Sequence, residues 1–169
     1  MSIHSKVLID EYEARLTLFS AIEPGHTGWS QEIQRVGAIA VLQGLLGGQY
    51  DSQSCSKLLR KIEQTNFEML QTAVAVSDSE FIYPGHPQWP KQVDQLVNPP
   101  IGLIVKGDLS HLSQKSIAIV GTREPSAYGQ EMASEFATVF VNHGWNVVSG
   151  GALGIDTCAH VAALKSSGK

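Results

Sequence analysis

Two glycine-centred segments in the C-terminal third of the chain hold the residue types from which an anion site is built. The first runs Gly121-Thr122-Arg123-Glu124-Pro125-Ser126-Ala127-Tyr128-Gly129. Gly121 permits close backbone approach, Thr122 offers a hydroxyl, and Arg123 offers a planar fork suited to phosphate. Ser126 is placed to cap a following helix, and Tyr128 can stack on a base or pack. The second runs Ser149-Gly150-Gly151-Ala152-Leu153-Gly154-Ile155-Asp156 and approximates the dinucleotide fingerprint with serine at its first glycine. Gly150 and Gly151 free the backbone for a concave group of N–H donors, and Gly154 lets helix and strand pack closely. Arg123 and Asp156 also keep two readings each. Arg123 is a phosphate ligand or the partner of Glu124 or a neighbouring helix in an ion pair. Asp156 is a site residue or a carboxylate that favours the positive end of a helix dipole. His160, one turn later, reads as a helix-surface histidine more readily than as a site residue.

The elements around these segments explain why they should meet. Ser116 to Val120 is a short apolar run, as a strand buried on both faces would be, and it ends at Gly121. Ala133, Phe136, Ala137, Phe140 and Val141 recur at helical spacing, and Gly144 follows His143 as a C-terminal stop should. Trp145 to Val148 is a second strand, Gly154 to Leu164 a second helix, and Gly168 its expected end. Strand, helix, strand, helix at this spacing is a βαβ unit and the start of a Rossmann-like parallel sheet. Both strands deliver a glycine turn into a helix N-terminus, where unpaired N–H groups and the helix dipole favour an anion. In open α/β sheets ligands bind at these carboxyl ends.

Upstream the pattern changes. Residues 1–76 read as a helical domain, with a first helix through Leu16, Leu18 and Phe19 and a break at Pro24 to Gly28. A second helix is expected from an N-cap at Ser30 through Ile33, Val36, Val41 and Leu45, ending at Gly47-Gly48. A third is expected from about Ser54 toward Val74, with an interruption near Asn66. The basic residues here are outnumbered and scattered, which does not favour a DNA-reading helix-turn-helix. Residues 77–116 form a Pro-rich connector, with turns at Tyr83 to Pro87 and Asn98 to Pro100, a short helix between Trp89 and Leu96, and a strand from Ile101 to Lys106. Residues 117–169 then begin the Rossmann-like domain. The fold class expected is α/β: a helical domain followed by the first part of a parallel sheet, truncated, with apolar surface left uncovered near Val148 and Leu164.

Composition narrows the classes further. With 43% hydrophobic and 17% charged residues over 169 positions, disorder, collagen and coiled coil are excluded. No apolar run is long enough for a membrane span, and Lys6, Asp10 and Glu11 interrupt the N-terminus, so the expectation is a cytoplasmic chain without membrane contact. Cys55 and Cys158 lie far apart and read as small buried side chains rather than a disulfide or zinc ligands. The net charge of -4 argues against nucleic-acid binding through bulk positive charge. Residues 1–80 hold ten acidic against six basic residues, so any anion site must be local. No G-x-S-x-G elbow, H-E-x-x-H pair or Cys/His cluster is present, and no catalytic residue, metal or cofactor is expected.

Residues 117–129, followed by 147–160, resemble the DNA-processing protein A family, DprA, also called Smf. The stretch Asn98-Pro99-Pro100 to Gly107, with Tyr83-Pro84 before it, is similar to that family's approach to its Rossmann domain, and the helical segment loosely resembles its SAM-like domain. The resemblance implies a single-stranded-DNA-binding protein, not an enzyme, that protects incoming DNA and loads the recombinase RecA in natural transformation. It implies that Gly121, Thr122 and Arg123 match the family's G-S/T-R motif, whose arginine contacts phosphate. Ser149 to Asp156 match its S-G-x-x-x-G-I-D motif, with Leu153 where many members are basic. The family's homodimerisation surface and RecA-contacting region fall largely beyond Lys169. A rival reading is a nucleotide-binding Rossmann enzyme similar to LOG-type phosphoribohydrolases, whose P-G-G-x-G-T-x-x-E signature is not present here. A third is a scaffold whose loops bind nothing.

Overall fold

The computed structural model describes residues 9–167, and the chain divides into two compact units that meet in sequence between Leu112 and Ser113. Five helices dominate the first: α1 (Glu11–Ala21), α2 (Thr27–Val36), α3 (Ala38–Leu46), α4 (Ser52–Gln64) and α5 (Phe67–Val76). The starts of α1, α4 and α5 follow from short polar side chains that satisfy first-turn N–H groups. The Asp10 carboxylate accepts from Glu13 N at 2.8 Å, Asp51 accepts from Gln53 and Ser54 N, and Asn66 accepts from Met69 N at 3.0 Å.

Ser30 is not the N-cap the sequence suggested. His26 takes that place through Nδ1, which accepts from Trp29 N, and Ser30 lies inside α2, buried, with its hydroxyl donating to Pro99 O. Nor does one helix run from there to Leu45. Gly37, at φ 89°, separates α2 from α3, because no ordinary L-residue enters that region cheaply. Asn66 divides α4 from α5 where an interruption was expected.

The core of this unit is built from large aliphatic side chains. Leu18, Ile22, Ile33, Val41, Leu42, Leu45 and Ile62 are buried together with Ala14, Ala38 and Cys55. Beside them Leu16, Val74 and Phe81 are enclosed by the rings of Tyr12, Phe19, Phe67 and Tyr83. Phe81 belongs to β1 (Glu80–Ile82), which pairs antiparallel with β2 (Leu103–Val105), Phe81 opposite Ile104. The strand expected at Ile101 to Lys106 therefore does not join the parallel sheet. Arg15 fixes the approach to it: Nη1 donates to Ile101 O at 2.9 Å, Nε pairs with Glu11, and the guanidinium lies over the Tyr83 ring. Between the two strands the expected short helix is a 3-10 turn at Lys91–Gln95.

The second unit contains β3 (Ser116–Ala118), α6 (Ala127–Asn142), β4 (Asn146–Val148) and α7 (Ile155–Ser167). β3 and β4 are parallel, with Ile117 opposite Val147, and the ladder continues through Ile119 N to Val148 O at 3.0 Å. His143 caps the C-terminus of α6, with Gly144 at φ 76° after it, as the sequence indicated. The expected stop of α7 at Gly168 lies outside the described residues. The helices pack closely because their buried positions are small: Ala133 and Ala137 on α6, Ala159 on α7. The apolar run of β3 is not buried on both faces. Ile117, Ile119 and Val147 are half-buried, while Ala118, Val120 and Val148 alternate with them and are exposed. Val148 at 52% and Leu164 at 64% exposure are the uncovered apolar surface foreseen there.

Candidate functional site

The carboxyl ends of β3 and β4 lie side by side, and the two glycine segments leave from them together. Ser149 ties the ends: its hydroxyl donates to Ile119 O at 2.7 Å. The loop after β3 (loop A, 121–126) and the loop after β4 (loop B, 149–154) then lock into each other. Gly154, at φ 90°, sits so tightly under loop A that a Cβ there would lie 2.3 Å from Thr122 O and 2.8 Å from Arg123 Cα. Ile155 N donates to Thr122 O at 3.2 Å, and a Cβ on Gly121 would meet Ile155 Cγ1 at 2.8 Å. Both glycines are therefore demanded by packing of one loop on the other.

Loop A is shaped by its own side chains. Thr122 Oγ1 accepts from Glu124 N at 3.2 Å, closing a turn around Arg123. Ser126 Oγ accepts from Gly129 N at 3.2 Å and caps α6, as its position indicated. Arg123 is exposed and makes no ion pair among the described residues, so the bond to Glu124 or to a helix that its alternative reading required is not formed. A guanidinium held on a fixed turn, exposed and without a carboxylate partner, is suited to take an anion bidentately.

Loop B departs from its simplest reading at Asp156. This side chain is 6% exposed, and Oδ2 accepts from Gly150 N at 3.1 Å and from Ala152 N at 3.4 Å. The carboxylate reaches back into the glycine turn and occupies donors that the sequence left open for a ligand. Thr157, which no local pattern marks, completes the turn by donating to Ala152 O at 2.7 Å. Asp156 is thus the internal anion of loop B, and Gly151 N is the donor of the glycine pair it leaves free. Tyr128 on the first turn of α6 and Leu153 in loop B are both exposed, and His160 is half-buried on α7. Among the described residues no three His, Cys, Asp or Glu side chains converge as metal ligands would. No helix among them is long and apolar enough to cross a membrane.

Comparison with known proteins agrees with this arrangement. Residues 80–169 match the family described as DNA recombination-mediator protein A. The DNA processing protein DprA of Bacillus subtilis is 40% identical over 83 residues, which are 48% of this chain and 28% of that protein. The Smf protein of Escherichia coli is 32% identical over 119 residues, 70% of this chain and 29% of that one. The chain thus matches less than a third of the length of either relative. The crystal structure of DprA from Streptococcus pneumoniae superposes with a TM-score of 0.67 at 22% identity, covering 95% of this chain and 56% of that one, and shares its fold. With the family match extending over more than half of its residues, the chain belongs to the DNA recombination-mediator protein A family.

Proposed function

We propose that the interlocked loops bind single-stranded DNA by its phosphates and that the whole protein acts as a recombination mediator. In that role it shelters incoming DNA and passes it to RecA during natural transformation, in the cytoplasm and as a homodimer. The chemistry is binding, not catalysis: Arg123, the Thr122 hydroxyl and the free N–H of Gly151 hold a strand. Ser126, Ser149, Gly150, Gly154 and Asp156 keep the two loops in shape. The observation that carries this reading is Arg123, exposed and unpaired on a turn whose backbone Gly154 and Ile155 hold in place. Backbone contacts position a strand without reading its bases, so sequence preference is small.

The test is a fluorescence-anisotropy titration of the intact protein with labelled single-stranded oligonucleotides of unrelated sequence, beside a mononucleotide. Tight, sequence-tolerant binding of the oligonucleotides with none of the mononucleotide is the expected result. Preference for the free nucleotide would transfer the loops to a nucleotide-binding enzyme of the LOG type.

A further inference from the structure

Positive charge is sparse around the two loops. From residue 117 to residue 167 the chain has two Lys/Arg, Arg123 and Lys165. Lys165 stands in the last turn of α7, about 15 Å along the axis from the helix start beside the loops. Among the described residues, one guanidinium and a few N–H groups are what the loops offer a phosphate chain, which leaves room for contacts of another kind.

Two side chains at this place have the chemistry for it. Leu153 is 77% exposed and Tyr128 is 71% exposed. Neither is displayed on a loose segment. Leu153 precedes Gly154, which abuts the Arg123 backbone, so its Cα lies within roughly 8 Å of that of Arg123. Tyr128 precedes Gly129, where a Cβ would meet Ile155 Cδ1 at 3.6 Å, so it flanks the same contact between the loops. An exposed aliphatic side chain thus stands next to the Arg123 backbone, and an exposed aromatic one opens the helix that loop A leads into, both on a backbone held by loop packing. Bases in a single strand expose their faces, whereas a duplex hides them in its stack.

Resting on the reading above, we propose that Leu153 and Tyr128 form the base-contacting half of the site and set its preference for single-stranded over duplex DNA. Arg123 takes phosphate while the leucine and the tyrosine take the faces of adjacent unstacked bases. Apolar contact releases no counterions, so the two halves of the site answer differently to salt.

The experiment measures affinity for a single-stranded oligonucleotide and its duplex over a series of salt concentrations, for the wild-type protein, Leu153→Ala, Tyr128→Ala and Leu153→Lys. Each alanine variant is expected to bind the single strand about five- to tenfold more weakly with an unchanged salt slope, and to lose part of the discrimination against duplex. Leu153→Lys is expected to recover affinity, steepen the slope by about 0.7 and bind duplex better. Both side chains are exposed, so thermal melting should not change. Wild-type affinity and wild-type discrimination in both alanine variants would overturn the proposal while leaving the DNA site standing. Failure of the wild-type protein to bind single strands at all would overturn the DNA site and this proposal with it.

Discussion

The two units bury different things. The helical unit encloses Leu18, Ile22, Val41, Leu42, Leu45 and Phe81, large side chains that each contribute about 1.5–3 kcal/mol when removed from water. Among its described residues the second unit buries three alanines and Asp156, and one face of its parallel pair is open. Large side chains stabilise, and small ones bring backbones together. Ala133, Ala137 and Ala159 let α6 and α7 approach, and Gly121 and Gly154 let the loops approach. The fold of the second unit thus places loop A on loop B within a few ångströms, at the cost of a thinner apolar interior. Exposed polar loops on a fixed backbone are where binding residues are expected.

If that contrast is right, Leu18→Ala should have the largest effect on stability and none on the site. Removing this fully buried side chain is expected to cost about 2–5 kcal/mol, read from chemical denaturation, with DNA affinity of the folded protein unchanged. Gly154→Ala should do the opposite. A methyl group there meets Thr122 O and imposes a left-handed conformation on a residue with a Cβ, together about 2–4 kcal/mol against the locked loops. Single-strand binding should fall with it, while hydrogen-exchange protection of α1 and α3 stays as in the wild type.

The smallest effect is confined to acid. Hydrogen bonds from the Ser54 hydroxyl and from Ser54 and Gln53 N hold the Asp51 carboxyl below the usual carboxylate range. A carboxyl lowered in the folded state contributes stability that is present above its unfolded value of about 3.9 and is lost as pH falls through the folded one. Asp51→Asn, which still caps α4, should flatten the acid limb of helical circular dichroism below about pH 4. Binding at neutral pH should not move.

Much of this arrangement can be read from residue types. Ser126 as a cap, the glycine after His143, the parallel strands ending at Gly121 and Ser149, and the meeting of the two loops all follow local rules that a single sequence displays. Other features depend on contacts distant in sequence or on side chains outside those rules. The break at Gly37 was hidden because Ile33, Val36, Val41 and Leu45 keep helical spacing across it. His26 is not legible as a cap because imidazole is not among the usual capping groups. β1 is three residues long and takes its partner from more than twenty residues downstream, so no periodicity could reveal it. Asp156 carries the most instructive difference: its type and position allowed a dipole or a site role, and only the folded loop shows it bonded to Gly150 and Ala152 N.

The central claim is that one exposed guanidinium takes one phosphate of a single strand, and it is tested most directly by the salt dependence of binding. Wild-type protein and Arg123→Ala would be titrated with the same oligonucleotide at several salt concentrations. Loss of about 1.5–3 kcal/mol of affinity is expected, with the logarithmic salt slope shallower by about 0.7, the value of one single-strand phosphate, for every oligonucleotide sequence tried. A folded Arg123→Ala protein with wild-type affinity and wild-type slope would contradict the account and remove Arg123 from the site.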